Sequence, residues 1–391
     1  AVGMQALTLA TTGDDNTAVG YLAGDAITTG GGNVAIGKTA LSAVTTTSYN
    51  TAVGLNALAV TTGTGNVAVG QSALAANTSA AYNTAVGYSA LGNNTTGTDN
   101  TGIGYKALNA NTTSSSNTAI GDNALLLNTY GTYNVAVGAN SLDANTTGTA
   151  NTAVGTFSLG AVATASYNTS LGYEALAANL AASNTAVGYQ AGAAVTTGTE
   201  NVFVGSAAGD ATDDGGECVA VGSSALSANC GSGNVAMGRM ALRDCTGQHN
   251  TSLGHQSGLV VVGGNDNTTV GKSAGEAISS GDNNLTLGHD SGRTGSPGGN
   301  ITTGDNEIAL GDENITEANI QVDWTIASDE RDKTDFTALD LGLDFVKALA
   351  PVTYKWDKRA KYIDKDDPSV DLDAVSHDGT HKEDWLDIGF K

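Results

Sequence analysis

The sequence predicts a mostly β chain: a parallel β-solenoid, or β-roll, of 16–17 residues per coil, followed by a small α+β module. Three observations carry this. The pentapeptide Asn16-Thr17-Ala18-Val19-Gly20 returns as Asn50-Thr51-Ala52-Val53-Gly54, as Asn83-Thr84-Ala85-Val86-Gly87 and, in close variants, along most of the chain. Its closing glycine occupies eighteen positions from Gly3 to Gly288, separated by thirteen intervals of 17 residues and four of 16. All three tryptophans (Trp324, Trp356, Trp385) and all three prolines lie after these repeats. The domains expected are a repeat shaft over 1–311, a connecting strand over 312–327 and a C-terminal module over 328–391.

Each position of the unit has an expected physical role. Residues 83–99 read N-T-A-V-G-Y-S-A-L-G-N-N-T-T-G-T-D. The first five alternate, placing Thr84 and Val86 on one face and Asn83, Ala85 and Gly87 on the other. The Val of the motif (Val19, Val53, Val86) is expected to fill a thin core. The recurring Leu (Leu41, Leu58, Leu74, Leu91, Leu108, Leu125) should fill it from a second strand. Gly20, Gly54 and Gly87 permit a sharp turn or close backbone approach. Asn16, Asn50 and Asn83 should stack as a ladder of amides, broken at Cys218. The Asn, Thr and Gly that follow are turn chemistry. The period is too short for a propeller blade or a helix–turn–helix repeat, and recurrent Gly, Asn and Thr disfavour helix. One Val and one Leu per coil provide roughly 3–6 kcal/mol, against roughly 1–2 kcal/mol per ordered backbone. A second apolar surface is therefore needed. The small face of Ala85 and Gly87 is expected to pack against identical chains in a homotrimer.

Composition narrows the partners. The formal net charge is −23, which argues against nucleic acid and anionic membranes. Residues 1–320 hold 22 acidic and 6 basic residues, whereas residues 321–391 hold 17 and 10, so charge is concentrated in the tail. Cys218, Cys230 and Cys245 are an odd number without C-x-x-C spacing, and read neither as a disulfide framework nor as a zinc site. No run is long enough for a membrane-spanning helix, so no membrane insertion is expected. The sequence opens in mid-repeat at Ala1-Val2-Gly3 and is expected to be a piece of a longer chain.

The repeat resembles the N-S-V-A-I-G-x-x-S unit in the heads of trimeric autotransporter adhesins and the matching repeats of phage tail fibres. The resemblance covers residues 1 to about 311 and implies a left-handed parallel β-roll with three chains to a head. The family's unit is shorter. The extra residues here fall in the Thr/Gly turn.

Past Gly288 the pattern decays through Thr294–Gly299 to a last degenerate copy at Asn306–Gly311, and Asn319–Ile326 alternates as a strand leaving the stack. Thr337 to Asp340 fits a capping box, and Leu339, Leu343, Val346 and Leu349 have helical spacing that Pro351 ends. Val352, Tyr354 and Trp356 alternate as a strand. The elements S-D-E-R-D-K at Ser328–Lys333 and L-x-F-V-K-A-L-A-P-V-T-Y-K-W at Leu343–Trp356 resemble the intramolecular chaperone of phage endosialidases, tail spikes and fibres, the S74 peptidase family. That resemblance implies trimerisation, templated folding of a β-stem and one self-cleavage, between Ser328 and Asp329, with Ser328 and Lys333 as the catalytic dyad. Asp329, Glu330, Asp332 and Asp335 crowd Lys333, and anions raise a lysine pKa, which opposes its use as a base. The family usually continues beyond the point where Lys391 ends this sequence, so the module reads as truncated.

The remaining features have bland readings. His377 to His381, and His255 and His289, read as solvated surface residues. Asp213 to Glu217 lacks a calcium-roll motif, so no metal and no cofactor is expected. Tyr49, Tyr82, Tyr133 and Tyr167 are expected to pack locally at the turn. The expected function is that of a structural, host-binding fibre of a phage virion. Its partners would be a homotrimer, a host cell-surface receptor or glycan, and other virion proteins. No multiple-turnover enzyme is expected. The alternatives are a bacterial trimeric surface adhesin and an ice- or polysaccharide-binding threonine ladder such as Thr95-Thr96-Gly97.

Overall fold

The repeated pentapeptide folds as a three-residue strand bounded by its asparagine and its glycine. A computed structural model describes residues 1–319 and the strand backbones at 351–354 and 387–390. It divides into two compact units, Ala1–Ala318 and Asn319–Lys391. In the first, eighteen strands run from β1 (Thr17–Val19) to β18 (Ile308–Leu310), each paired in parallel with the next. Register is kept exactly one coil apart. Between β5 (Thr84–Val86) and β6 (Thr101–Ile103), Thr84 faces Thr101, Ala85 faces Gly102 and Val86 faces Ile103. No helix occurs among the described residues.

The hydrogen-bond ladder continues outside the strands. The Thr84 N–H donates to the Asn100 carbonyl (2.9 Å), the Gly87 N–H to Val69 (2.8 Å) and the Leu91 N–H to Ala107 (2.9 Å). Each coil thus bonds the coils above and below it, as a stacked one-dimensional fold requires. The expected second strand is absent. Ser89-Ala90-Leu91 is a turn in which Ser89 (φ 52°) and Leu91 (φ 50°) are left-handed. A left-handed non-glycine residue costs about 1–2 kcal/mol. The tight arc keeps Leu91 inside and its N–H in the ladder, which offsets the strain.

The core reverses one expectation. The middle residue of the strand points inward, and Ala18, Ala52 and Ala85 are buried. Val19, Val53 and Val86 point outward and stay exposed or half-exposed. The reason is volume. Coils stack about 4.8 Å apart, and one buried Leu nearly fills a layer that thin. Only alanine then fits opposite Leu41, Leu58, Leu74 or Leu91. Gly192 and Gly209 stand where other coils have this Leu, and there the strand β12 (Val202–Val204) supplies Phe203, buried with its ring against both glycines. Thr269 and Thr286 likewise occupy the space beside Gly275 and Gly292. Layer volume is conserved while the residue that fills it changes sides.

Asparagine and glycine behave as expected. Asn100 accepts the Asn117 N–H at Oδ1 (3.0 Å) and donates Nδ2 to the Ser114 carbonyl (2.9 Å). The same pattern runs through Asn16, Asn33, Asn50, Asn66 and Asn83. Gly87 has φ 135°, and a Cβ there would run into the Gly104 carbonyl one coil on. In the second unit, β19 (Pro351–Tyr354) pairs antiparallel with β20 (Asp387–Phe390), Pro351 opposite Phe390.

Candidate functional site

The alternation that buries alanine turns the other two residues of every strand outward. The third position is Val, Ile, Leu or Met in all eighteen strands, and none of these is buried. Leu171, Leu253 and Leu287 are 46–48% exposed. The first position is Thr or Val in sixteen strands, Leu285 and Ile308 in the last two. No charged residue enters either outward row. At about 4.8 Å per coil the strip is about 80 Å long. A continuous apolar face of this size marks an interaction surface. The sequence alone puts that surface on Ala85 and Gly87. Ala85 is inside the coil, so the apolar surface open to a partner is the Val86 row instead.

Other faces carry less. Tyr88 stacks on Tyr105 (ring centroids 5.5 Å apart) and Tyr173 on Tyr189 (5.7 Å), with Phe157 edge-on to Tyr173. Tyr49, Tyr82, Tyr133 and Tyr167 are 64–75% exposed, so local packing covers little of them. One threonine row bonds along the stack, while Thr96 beside it is exposed. Thr78 Oγ1 donates to the Thr95 carbonyl (3.0 Å) and Thr95 Oγ1 to the Thr112 carbonyl (2.9 Å), which uses the one proton of each hydroxyl within the stack.

The last coil ends in a polar cap. His289 Nδ1 lies 3.1 Å from Asp312 Oδ2 and 3.5 Å from Asp290 Oδ2. The His289 and Asn314 hydrogen bonds hold the Asp312 carboxyl below the usual carboxylate range. Arg293 engages the other Asp290 oxygen (2.8 Å) and Glu276 (3.0 Å). The cluster is internally paired, and a guanidinium at its edge opposes a cation.

Sequence reasoning missed the sulfur chemistry inside the stack. Cys218 takes the ladder position and breaks the amide row as expected. Its N–H still donates to Asn201 Oδ1 (2.9 Å), but it offers no amide to Asn234. Its Sγ lies 4.0 Å from Cys230 Sγ, and both side chains are buried. Twelve residues separate the two in sequence; only the winding of the coil brings them together.

The sequence-predicted residues Ser328, Asp329 and Lys333 lie outside the described residues, as do the expected connecting strand from 320 on and the helix before Pro351. The P-V-T-Y segment is the strand β19. Searches of curated proteins and of solved structures returned no match to this chain. A family model described as chaperone of endosialidase, Peptidase_S74, matches residues 328–388, beginning on Ser328. The C-terminal part of the chain therefore carries the chaperone-of-endosialidase signature of the S74 family, behind a β-solenoid of eighteen parallel strands.

Proposed function

We propose that the chain is a homotrimeric fibre of a phage virion that presents its solenoid to a host cell-surface receptor or glycan, with residues 328–388 acting as its intramolecular chaperone. The observation that carries this is the pairing of an uncharged apolar strip on eighteen strands with an S74-type match at the C-terminus. A solenoid coil contacts only its neighbours, so the first coils to form have little to hold them. A trimerising module at one end converts association of the strips into an intramolecular event. Burying the outward Val or Ile row against two twins contributes about 1–2 kcal/mol per coil and chain.

Once the stem has formed, hydrolysis of the Ser328–Asp329 bond releases the module, with Ser328 and Lys333 as the reacting pair. That cut is a single event and serves assembly. The same repeats would suit a bacterial trimeric surface adhesin. Recovery of this polypeptide from purified virions, and not from an outer-membrane fraction, separates the two.

The test is intact mass and sedimentation of the purified chain beside the Ser328→Ala and Lys333→Ala variants. The expected result is a trimer whose protomers end at Ser328, with both variants trimeric and uncut. A full-length wild type refutes the cleavage, and a cut chain that sediments as a monomer refutes the fibre.

A further inference from the structure

We propose that Cys218 and Cys230 are the two partners of an intrachain disulfide that closes the coil built on β13 (Val219–Val221). The internal repeats serve as the comparison. From Asn16 to Asn284 the ladder position before each strand is asparagine except at Cys218. In the same coil, a second cysteine stands in the turn that faces that position, with its sulfur 4.0 Å away. In most other coils the ladder amide reaches across to a turn carbonyl, as Asn201 Nδ2 does to Gly215 (2.9 Å). At Cys218 only a thiol spans that gap, 3.4 Å from the Gly231 carbonyl. A thiol is a poor substitute for an amide. The chain gives up a rung of the ladder at the one place where a covalent link can replace it.

The surroundings select this pair over the third cysteine. Cys230 Sγ is flanked by Cys218 and by the Thr212 hydroxyl at 3.5 Å. Cys245 sits among Asn234, Asn250 and the Gly247 carbonyl, at 3.6–3.9 Å. The hydrogen bond between the two sulfurs lowers the Cys230 thiol against the effect of burial, whereas burial pushes Cys245 up to about 12. Bond formation brings the sulfurs from 4.0 Å to about 2 Å.

The oxidant is a small-molecule disulfide. The Cys230 thiolate attacks one of its sulfurs and expels a thiolate, leaving a mixed disulfide. The Cys218 thiolate then attacks Cys230 Sγ and expels the second. Two protein thiols and one small disulfide become one protein disulfide and two small thiols, which take up the two protons. Both cysteines are sealed in the finished coil, so the exchange belongs to folding, before the coil above closes.

The experiment is to refold the full chain with oxidised glutathione, denature it, alkylate without reduction and map the labelled peptides. The expected result is label on Cys245 alone, with all three cysteines labelled after reduction. Cys218→Asn, which restores the ladder residue and should fold, is expected to label at both Cys230 and Cys245 without reduction. Three labelled thiols in the unreduced wild type, or a bridge containing Cys245, overturns the proposal. So does a Cys218→Asn chain in which Cys230 remains blocked.

Discussion

At the scale of the residue, the buried asparagine does what no other side chain of its size can. It accepts a backbone N–H from the next coil and donates to a turn carbonyl at the end of its own, fixing register along the stack. Asn100→Ala leaves the Asn117 N–H buried and unpaired, which costs about 1–3 kcal/mol, while the Ser114 carbonyl keeps its bond from Asn111 Nδ2 (3.0 Å). The loss is local, because each coil is held chiefly by its neighbours. Amide hydrogen exchange is the appropriate measurement. Protection should fall by one to two orders of magnitude at Asn117 and in the two adjoining coils, and stay unchanged several coils away. Asn93→Ala, on the exposed turn of the same region, is the control and should leave exchange within error. Uniform loss along the whole shaft would contradict nearest-neighbour stability.

At the scale of the element, the coil is a fixed volume that different residues share. Phe203→Ala empties the space that one ring fills beside Gly192 and Gly209, and should cost about 3–5 kcal/mol. Leucine at both glycine positions should recover most of it. Leu176 and Leu226 occupy the same turn position with φ 50° and 51°, so the backbone already accepts leucine there. Urea denaturation of Phe203→Ala and of the triple variant is the check, and failure of the triple to recover would sink the shared-volume account. This trade also shows where the sequence was legible and where it was not. The period, the buried Leu, the amide ladder and the close-packed glycine follow from spacing and residue chemistry. Sidedness does not, because alternation defines two faces without saying which is inside. Choosing the larger side chain for the core put Val86 where Ala85 belongs. Phe203 held the missing signal, since a large strand residue appears where the turn loses its Leu. The Cys218–Cys230 approach depends on how the chain winds, and spacing alone hides it. At the C-terminus, the S-D-E-R-D-K start was legible and the family match opens on it, while the roles of Ser328 and Lys333 remain assigned by resemblance.

At the scale of the whole molecule, a stack of thin coils with one apolar face leaves its largest free surface along its length. The row of Val86, Ile103 and Ile120 lies outside the coil, so charging it should not disturb the layer volume that Leu and Ala share. Val86→Asp, Ile103→Asp and Ile120→Asp together would bring nine carboxylates to the axis of a trimer, where like charges in a desolvated strip repel. The triple variant should keep its β signal in circular dichroism and lose the proposed trimer in sedimentation velocity. Asn93→Asp and Thr96→Asp, which add charge to the exposed turn, should leave the trimer intact. A triple variant that still sediments as a trimer would move the interface elsewhere. A wild-type solenoid that is monomeric and fully protected in dilute solution would mean that the coil core and its two ladders suffice alone, leaving the exposed Val and Ile row free for a different partner.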